Sequence, residues 1–468
     1  MGDHVEVAGK RVEILRPNDA FFLNAEVAGA PQHVGGVAII DSSPKDGHPV
    51  NRVDVKERIG RAIDAGTIPR LRQRLARSWG SFARPAWVEV SDVLLDRHVR
   101  EHTVAAPGGQ RQLEEALEAI LADPLDRSYP LWELWLLDGL SEGRQAIVLK
   151  VHHAVADGIG VLALVEALLD GEPAPPGDGI EGRRGSPPNV RRIFASTLVS
   201  QLTAPARDLF AGALRFTQDP ADAVRAMLRT ADGVWALARA GRAAPTPLNR
   251  GTGSQRRILL ADVPRSLMRA ARRHYGATDN DVILAVVAGG IHDWMTSEGI
   301  DPPPTLRTVV PVSTRSRRSR EPGSWTATLT VDLPAGAIAP RERLRQVVEA
   351  TAAAKRSNQR HGSQFVMHAV GSWAPPRVHG LFARFSYRGE WFNLIVSNVP
   401  GVRRPRSLCG APVVAAYPII PLVPGVGLTV ASMRWDDRVT IGFVADPSSV
   451  GDLDKLAAST LGLISDLG

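Results

Sequence analysis

The chain has a single cysteine among its 468 residues, Cys409. One thiol excludes a disulfide framework and any zinc or iron–sulfur site built from several cysteines, and it fits a reducing compartment. Residues 1–10 hold no apolar stretch ahead of a cleavage site, so we expect no signal peptide and a cytoplasmic protein. The sequence also lacks internal repeats, a nucleotide-binding glycine loop and a G-x-S-x-G nucleophile elbow. The last absence argues against a serine hydrolase of that type.

Charge is missing from one long stretch, Ser407–Met433, which could be mistaken for a membrane span. Pro412, Pro418, Pro421 and Pro424 interrupt it, and a spanning helix tolerates one proline far better than four. The stretch therefore predicts buried strands joined by turns.

The remaining composition is that of a globular protein, with 44% hydrophobic and 22% charged residues. The length suffices for two domains. Apolar periodicity predicts helices at Leu113–Leu121, Gly160–Leu169, Val282–Trp294 and Leu344–Ala354. It predicts strands at Val34–Ile40, Ala146–Val151, Thr308–Val312, Ala327–Val331, Phe392–Val396, Leu428–Met433 and Thr440–Val444. Helices and strands thus mix along the chain, which predicts an α/β (α+β) fold in three parts, 1–182, 183–255 and 256–468.

The middle part is unusually basic. Residues 183–250 contain eleven arginines, no lysine and four acids, so this stretch alone carries the net charge of +7 of the whole chain. Its apolar residues recur at helical spacing, as in Phe194, Leu198 and Leu202. One interpretation is a helical connector that packs on the protein; the other is an amphipathic segment that contacts an anionic membrane or a lipid droplet. No motif favours nucleic acid.

The most informative motif is His152–Gly158, which follows the predicted strand Ala146–Val151. A neutral imidazole can take the proton of a weakly nucleophilic hydroxyl as it attacks an acyl thioester. The imidazole needs a fixed partner on its other nitrogen, and a donor must face the carbonyl oxygen. The alternative is a pair of structural histidines in the core. Direct attack needs no covalent intermediate and, on this scheme, no metal or cofactor.

The motif and its surroundings resemble the bacterial wax ester synthase/acyl-CoA:diacylglycerol acyltransferase family, whose signature is HHxxxDG. Further matching segments occur in order along the chain: Leu15–Phe22, His33–Gly35, Arg84–Val88, His98–Arg100, Pro130–Trp132, Asn280–Ala285, Pro311–Arg315 and Ser397–Gly401. The resemblance implies two lobes like chloramphenicol acetyltransferase and the condensation domains, with a tunnel at their interface.

The resemblance also implies roles for the motif. His153 would be the general base in the tunnel, and His152 would support the loop. Asp157 would hold the loop through an ion pair with Arg315, and Gly158 would permit the turn and leave room for substrate.

Three other polar residues have two interpretations each. Asn280 and Asp281 would shape the site or close the tunnel, or they would belong to a helix N-terminus capped by Asp279 or Asn280. Asn398 would donate a hydrogen bond near the acyl carbonyl, or it would serve a turn before Pro400. The Pro130–Trp132 element favours packing over substrate contact.

The leading hypothesis is an O-acyltransferase that uses acyl-CoA as co-substrate and makes neutral lipid from diacylglycerol or a long-chain alcohol. The composition of the chain favours triacylglycerol over wax ester as the product. Such an enzyme would be cytoplasmic and peripheral, on the inner membrane face or on lipid droplets. Two alternatives remain: a condensation-type acyltransferase with another acyl donor or acceptor, and a catalytically silent lipid-binding relative.

Overall fold

The computed structural model describes residues 4–7, 10–42, 49–66, 68–76, 84–170, 190–313, 326–401 and 406–467. Their strands are β1 (His4–Val7), β2 (Lys10–Ile14), β3 (His33–Asp41), β4 (Gln73–Ala76), β5 (Ala86–Glu89), β6 (Val99–Thr103), β7 (Trp132–Asp138), β8 (Arg144–His152), β9 (Arg257–Pro264), β10 (Thr305–Ser313), β11 (Thr326–Pro334), β12 (Leu394–Val399), β13 (Ser407–Leu408), β14 (Ala411–Ile419), β15 (Leu428–Trp435) and β16 (Arg438–Ala445).

The helices of the same residues are α1 (Pro17–Ala25), α2 (Arg52–Asp64), α3 (Leu95–His98), α4 (Gln110–Ala122), α5 (Gly158–Leu168), α6 (Val190–Gln218), α7 (Pro220–Arg239), α8 (Arg265–Tyr275), α9 (Asp279–Ser297), α10 (Pro340–Arg356), α11 (Gln359–Trp373), α12 (Pro376–Ser386) and α13 (Leu453–Asp466). Each helix and strand predicted from apolar periodicity is present, with ends that differ by a few residues.

Two six-stranded sheets form the cores of two lobes. The first lobe has the strand order β13-β14-β3-β8-β7-β6, and the second has β11-β10-β12-β15-β16-β9. Both are mixed sheets: β6 runs parallel to β7, and β10, β12 and β15 are mutually parallel, while the other pairs are antiparallel. A smaller sheet, β1-β2-β5-β4, lies apart from these two. The expected mixed α/β architecture is confirmed.

The second lobe is held together mainly by one helix. Helix α9 packs on both α10 and α13, and its side chains from Val282 to Ala288 are all buried. A helix that is apolar all round must be enclosed on every side, because each exposed face would leave hydrocarbon in water. This explains the continuous apolar run that the sequence shows at 282–288.

The sheet of the first lobe includes a strand from the second half of the chain. Strand β14 pairs with β3 along Val413–Ile419 and joins the sheet of the first lobe, although it follows β12 of the second lobe in the chain. The boundaries 1–182 and 256–468 therefore do not match the sheets, since 407–419 contribute to the first one. The uncharged stretch Ser407–Met433 forms strands and turns, as predicted. Its prolines lie in and between these strands.

The basic connector includes two helices, α6 and α7. Helix α7 packs on α11 of the second half of the chain. A Cβ atom on Gly233 would collide with the backbone of Asn358, and one on Gly362 would collide with Gly233, so the two helices touch backbone to backbone. Within the described part of the chain, no helix has the length and apolarity needed to cross a membrane.

Candidate active site

A cavity of about 700 Å³ lies between the two lobes. Its walls come from β3, β8, α5 and β14 on one side and from β10, β11 and β12 on the other, and α7, α11 and α12 complete it. Most of the lining side chains are apolar, among them Val34, Leu149, Val161, Val309 and Ile395. The space therefore suits a long hydrocarbon better than a polar ligand. This is the inter-lobe space at which the tunnel was expected.

On the cavity wall formed by β3, two positions carry no side chain. Gly35 and Gly36 both line the cavity. A Cβ atom on Gly35 would collide with the backbone carbonyl of Leu149 in the neighbouring strand β8. Glycine is required there by the close approach of the two backbones, and the same absence of side chains leaves room beside the end of β8.

His153 lies at that point, directly after β8, and its ring lines the cavity. The loop that holds it is fixed by a hydrogen bond from its backbone N–H to the carbonyl of Gln32, at 2.8 Å. Its ring stacks on Phe22 with 3.7 Å between ring centroids and 15° between planes. The sheet end and the aromatic ring together restrict the rotamer of this imidazole.

Burial lowers the pKa of His153 to about 4, against a smaller upward effect of its own backbone and of Asp157. The ring is therefore neutral near pH 7. Among the described residues, no other residue supplies a partner for its buried Nδ1. The Nε2 atom is the ring nitrogen open to the cavity. A neutral imidazole with one nitrogen open to an apolar cavity is suited to accept a proton.

His152 faces the opposite way, into a polar network. Its Nδ1 accepts a hydrogen bond from the backbone N–H of Ala154 at 3.0 Å. Its Nε2 lies 3.0 Å from Oε2 of Glu26, so the proton of the neutral ring must be on Nε2. Burial lowers the pKa of His152 in spite of the nearby carboxylate. His152 is therefore a neutral hydrogen-bond donor inside a polar network, and its supporting role stays a prediction.

Glu26 is the centre of this network. Its carboxylate also accepts from the backbone N–H of Gln32 at 3.0 Å and from Arg127 at 2.9 Å. Burial opposes ionisation, but the hydrogen bond with His152 and the positive charge of Arg127 hold the pKa of Glu26 well below its usual range. Gln32 is in turn the residue whose carbonyl holds His153. Glu26 thus connects both histidines of the motif.

Asp157 caps helix α5, since its carboxylate accepts a hydrogen bond from the backbone N–H of Gly160 at 2.9 Å. Gly158 is the first residue of that helix. The carboxylate therefore fixes the end of the loop that carries His153. Arg315, the expected ion-pair partner of Asp157, lies outside the described residues.

Asn280 and Asp281 do not line the cavity. The N-cap of α9 is Thr278, not Asp279 or Asn280 as expected, because the Thr278 hydroxyl accepts from the backbone N–H of Asp281. In return, the Asp281 carboxylate accepts a hydrogen bond from the backbone N–H of Thr278, and it accepts another from the Thr351 hydroxyl. This is the reciprocal arrangement of a capping box, which satisfies two helix-end donors at once.

Asn398 is also placed away from the cavity. Its neighbours in β12, Ser397 and Val399, line the cavity, and Asn398 does not. Side chains alternate between the two faces of a strand, so Asn398 points to the other face. The geometry gives no support to a hydrogen bond from this amide to an acyl carbonyl.

The Pro130–Trp132 element packs, as predicted. Leu131 and Trp132 are fully buried, and the Trp132 indole N–H donates to the carbonyl of Leu71 at 3.0 Å. The backbone carbonyl of Leu131 accepts from the N–H of His152 at 3.0 Å. The element therefore holds the backbone of His152, the first residue of the motif.

Sequence reasoning missed Glu26, Gln32, Phe22 and Tyr387 as parts of the site. Phe22 belongs to the first matching segment but gave no chemical signal. Glu26 lies 126 residues before its partner His152, so no local pattern connects the two. Among the described residues, no cluster of three histidine, cysteine or acidic side chains could hold a metal ion.

Comparisons with known proteins show the family of the chain. The model of the wax ester synthase/diacylglycerol acyltransferase catalytic domain matches residues 15–283, and that of the WS/DGAT C-terminal domain matches residues 323–461. A putative diacylglycerol O-acyltransferase of Mycobacterium tuberculosis is 30% identical over 457 residues, which are 96% of this chain and 93% of the relative. A probable diacylglycerol O-acyltransferase of the same species is 30% identical over 402 residues, or 83% and 82% of the two chains.

Solved structures show the same fold. The wax ester synthase/diacylglycerol acyltransferase of Marinobacter aquaeolei VT8 superposes with a TM-score of 0.68 at 22% identity, over 97% of this chain and 98% of the other. The first condensation domain of the calcium-dependent antibiotic synthetase superposes with a TM-score of 0.60 at 16% identity, over 97% and 96%.

The fold is thus the two-lobed fold that a wax ester synthase/diacylglycerol acyltransferase shares with condensation domains. Among proteins with that fold, this chain belongs to the wax ester synthase/diacylglycerol acyltransferase family.

Proposed function

We propose that the protein transfers the acyl group of acyl-CoA to the hydroxyl of diacylglycerol or of a long-chain alcohol, with His153 as general base. The observation that carries the proposal is the neutral imidazole of His153, which lines a largely apolar cavity between the lobes. The family of the chain supports the reaction class, and the names of its relatives support the acceptors.

In the proposed step, Nε2 of His153 takes the proton of the acceptor hydroxyl as its oxygen attacks the thioester carbon. The C–O bond forms, the C–S bond breaks, and the proton passes to the sulfur of the leaving CoA. The products are the ester and free CoA. No enzyme-bound acyl intermediate is needed, and acyl-CoA acts as a co-substrate in a reaction without a cofactor.

Several contacts fix the loop that carries His153. Glu26, His152 and the Gln32 carbonyl fix it from one side, and Asp157 fixes its far end at helix α5. We also propose that Asp157 pairs with Arg315. Exchange of both residues, as Asp157→Arg with Arg315→Asp, should restore part of the thermal stability that either change removes.

The function is tested with purified protein and radiolabelled palmitoyl-CoA, offered with dioleoylglycerol, with hexadecanol and without acceptor. We expect labelled ester with at least one acceptor and a loss of about 100- to 10,000-fold in turnover for His153→Ala. Unchanged turnover in His153→Ala would show that the base is another group.

The same assay separates the alternative functions. A condensation-type enzyme would leave acyl-CoA unused with both alcohols and would use a carrier-bound acyl group. A silent lipid-binding relative would form no ester and would still bind labelled dioleoylglycerol. Preference between dioleoylglycerol and hexadecanol decides which neutral lipid is the main product.

We further propose that the connector contacts an anionic membrane or lipid droplet from the cytoplasmic side. Large apolar side chains of α6 and α7 are exposed, including Leu202, Leu209, Phe210 and Met227, each about 70% accessible. Arginines accompany them on the same helices. The test is flotation with vesicles of phosphatidylcholine alone or with phosphatidylglycerol. Binding that ignores both anionic lipid and salt would contradict the proposal.

A further inference from the structure

The helical wall of the cavity opens to the surface. Ala238 of α7, Gln364 of α11 and Phe385 of α12 line the cavity and are also exposed to solvent. We call these three residues the mouth. Ala240 and Gly241, just after α7, and Thr328 of β11 also line the cavity and are exposed, but only the three mouth residues lie on helices outside the two sheets.

The outer surface around the mouth is apolar. Trp235 of α7, Phe365 of α11 and Leu381 of α12 are 57%, 42% and 67% exposed, and none of them lines the cavity. Phe385 itself is 55% exposed. Exposed apolar patches of this kind on a soluble protein mark a surface that another apolar phase covers.

Arginines lie on the same segments as this apolar surface, together with the exposed acids Asp232 and Glu390. Arg239, Arg360, Arg384 and Arg388 are all exposed on the helices and turns that form the mouth. The guanidinium of Arg239 lies 4.6 Å from the ring centroid of Trp235, which places a cation beside an apolar ring. An aromatic and leucine patch accompanied by arginines is complementary to the headgroup region of an anionic bilayer.

An apolar path leads inward from the mouth to the base. Tyr387, just beyond α12, lines the cavity, and burial raises the pKa of its hydroxyl. Its ring lies 5.9 Å from that of Phe22, edge to face, and Phe22 stacks on His153. A lipid chain that enters at Phe385 is therefore in contact with apolar side chains until it reaches the imidazole.

We propose that the lipid acceptor enters laterally, from an anionic phospholipid surface on which α7, α11 and α12 rest, through the mouth. The inference rests on the proposed function, since it supplies the route by which a diacylglycerol dissolved in a membrane reaches His153. The close crossing of α7 and α11 at Gly233 and Gly362 holds the edges of the mouth in a fixed position.

The route is tested by narrowing the mouth. Ala238→Trp places an indole in the opening, and Ala231→Trp places one on the exposed surface of the same helix away from the cavity. With dioleoylglycerol in phosphatidylglycerol vesicles, we expect kcat/KM to fall about tenfold or more in Ala238→Trp and less than about twofold in Ala231→Trp. With a soluble short alcohol as acceptor, the effect of Ala238→Trp should be markedly smaller.

Equal losses in the two tryptophan variants, or none in Ala238→Trp, would overturn the proposed route. Absence of turnover with either acceptor in the unmodified protein would instead contradict the proposed function. The two failures are therefore distinguishable.

A second measurement does not depend on activity. Because Cys409 is the only cysteine, Cys409→Ser combined with Leu381→Cys, or with Leu94→Cys as control, gives single sites for an environment-sensitive dye. Leu94 is 52% exposed on the first lobe. Vesicles of phosphatidylglycerol should shift the emission to shorter wavelength at 381 and not at 94. No shift at 381, or equal shifts at both, would contradict docking by this surface.

Discussion

His152 and His153 are adjacent in the chain, but their side chains have opposite environments. We call the surroundings of His152 the polar side of the loop and those of His153 the cavity side. His152 is enclosed by Glu26, the backbone of Ala154 and the carbonyl of Leu131, so both its ring nitrogens are used. His153 stacks on Phe22 and opens to an apolar cavity. Burial lowers the pKa of both rings.

The two adjacent rings thus differ in how far their nitrogens are hydrogen-bonded. The His152 ring cannot rotate without losing its hydrogen bond to the buried Glu26 carboxylate, which is costly even though Gln32 and Arg127 remain as partners of Glu26. The His153 ring stacks on Phe22 and faces a cavity whose lining is mostly apolar. The strand end directs successive side chains to opposite faces, so the two roles follow from adjacency itself.

The largest expected effect separates the two histidines directly. His153→Ala should lower kcat about 100- to 10,000-fold and reduce the free energy of unfolding less than His152→Ala does. His152→Ala should lower kcat less, by up to about 100-fold, and also reduce the free energy of unfolding by about 1–3 kcal/mol, because Glu26 loses a partner. The measurements are single-turnover kinetics and urea unfolding. The same loss of kcat and of stability in both variants would remove the distinction.

The second effect concerns pH. With a pKa of about 4, roughly nine-tenths of His153 remains neutral at pH 5, whereas an ordinary histidine would be only about 3% neutral. We therefore expect kcat/KM to stay nearly constant from pH 8 to pH 5.5 and to fall only below that. A fall centred near pH 6.5 would mean that the base is not buried as described.

Stability should respond to pH in a related way. Burial lowers the pKa of His33 to about 3, and burial together with the charge of Arg84 lowers that of His379 to about 4. The unfolded chain binds protons at these sites below pH 6.5 and the folded chain does not, so stability is present above pH 6.5 and is lost as pH falls toward 4. Activity at low pH is therefore read in brief assays after a pH jump.

A smaller effect tests the centre of the polar side. Glu26→Gln keeps an oxygen for the N–H of His152 and loses the charge that pairs with Arg127. Glu26→Ala removes both. We expect kcat to fall about tenfold or more in Glu26→Ala and distinctly less in Glu26→Gln, since misplacement of the base is the main cost. Equal kcat in all three proteins would show that the network does not position His153.

The smallest effects on kcat are expected for residues outside the surroundings of both histidines. Asn398→Ala should change kcat less than about twofold, because its side chain is on the face of β12 turned away from the cavity. Asp281→Ala should reduce the free energy of unfolding by about 1–2 kcal/mol through loss of the capping box, with similar kcat. A loss of kcat above tenfold in Asn398→Ala would restore the role first expected of this residue.

Much of the fold was predictable because its elements are periodic. Helix α9 and strands β3, β8 and β15 are each predicted by the apolar pattern of their own residues. The pairing of β14 with β3 in the first lobe was not predictable, since pairing between residues near 35 and near 417 has no local signal. The N-cap at Thr278 was missed by one or two residues, because Asp279 and Asn280 are equally good capping residues by type.

The sequence by itself determined the motif and the family, because both rest on short segments that can be identified without any long-range contact, and it predicted His153 as the base. Only the tertiary structure decided which side chains surround the two histidines. Glu26, Phe22 and the walls of the cavity come from segments far apart in the chain. Their meeting depends on how sheets and helices pack, and packing is set by burial of many apolar residues together rather than by any single pattern.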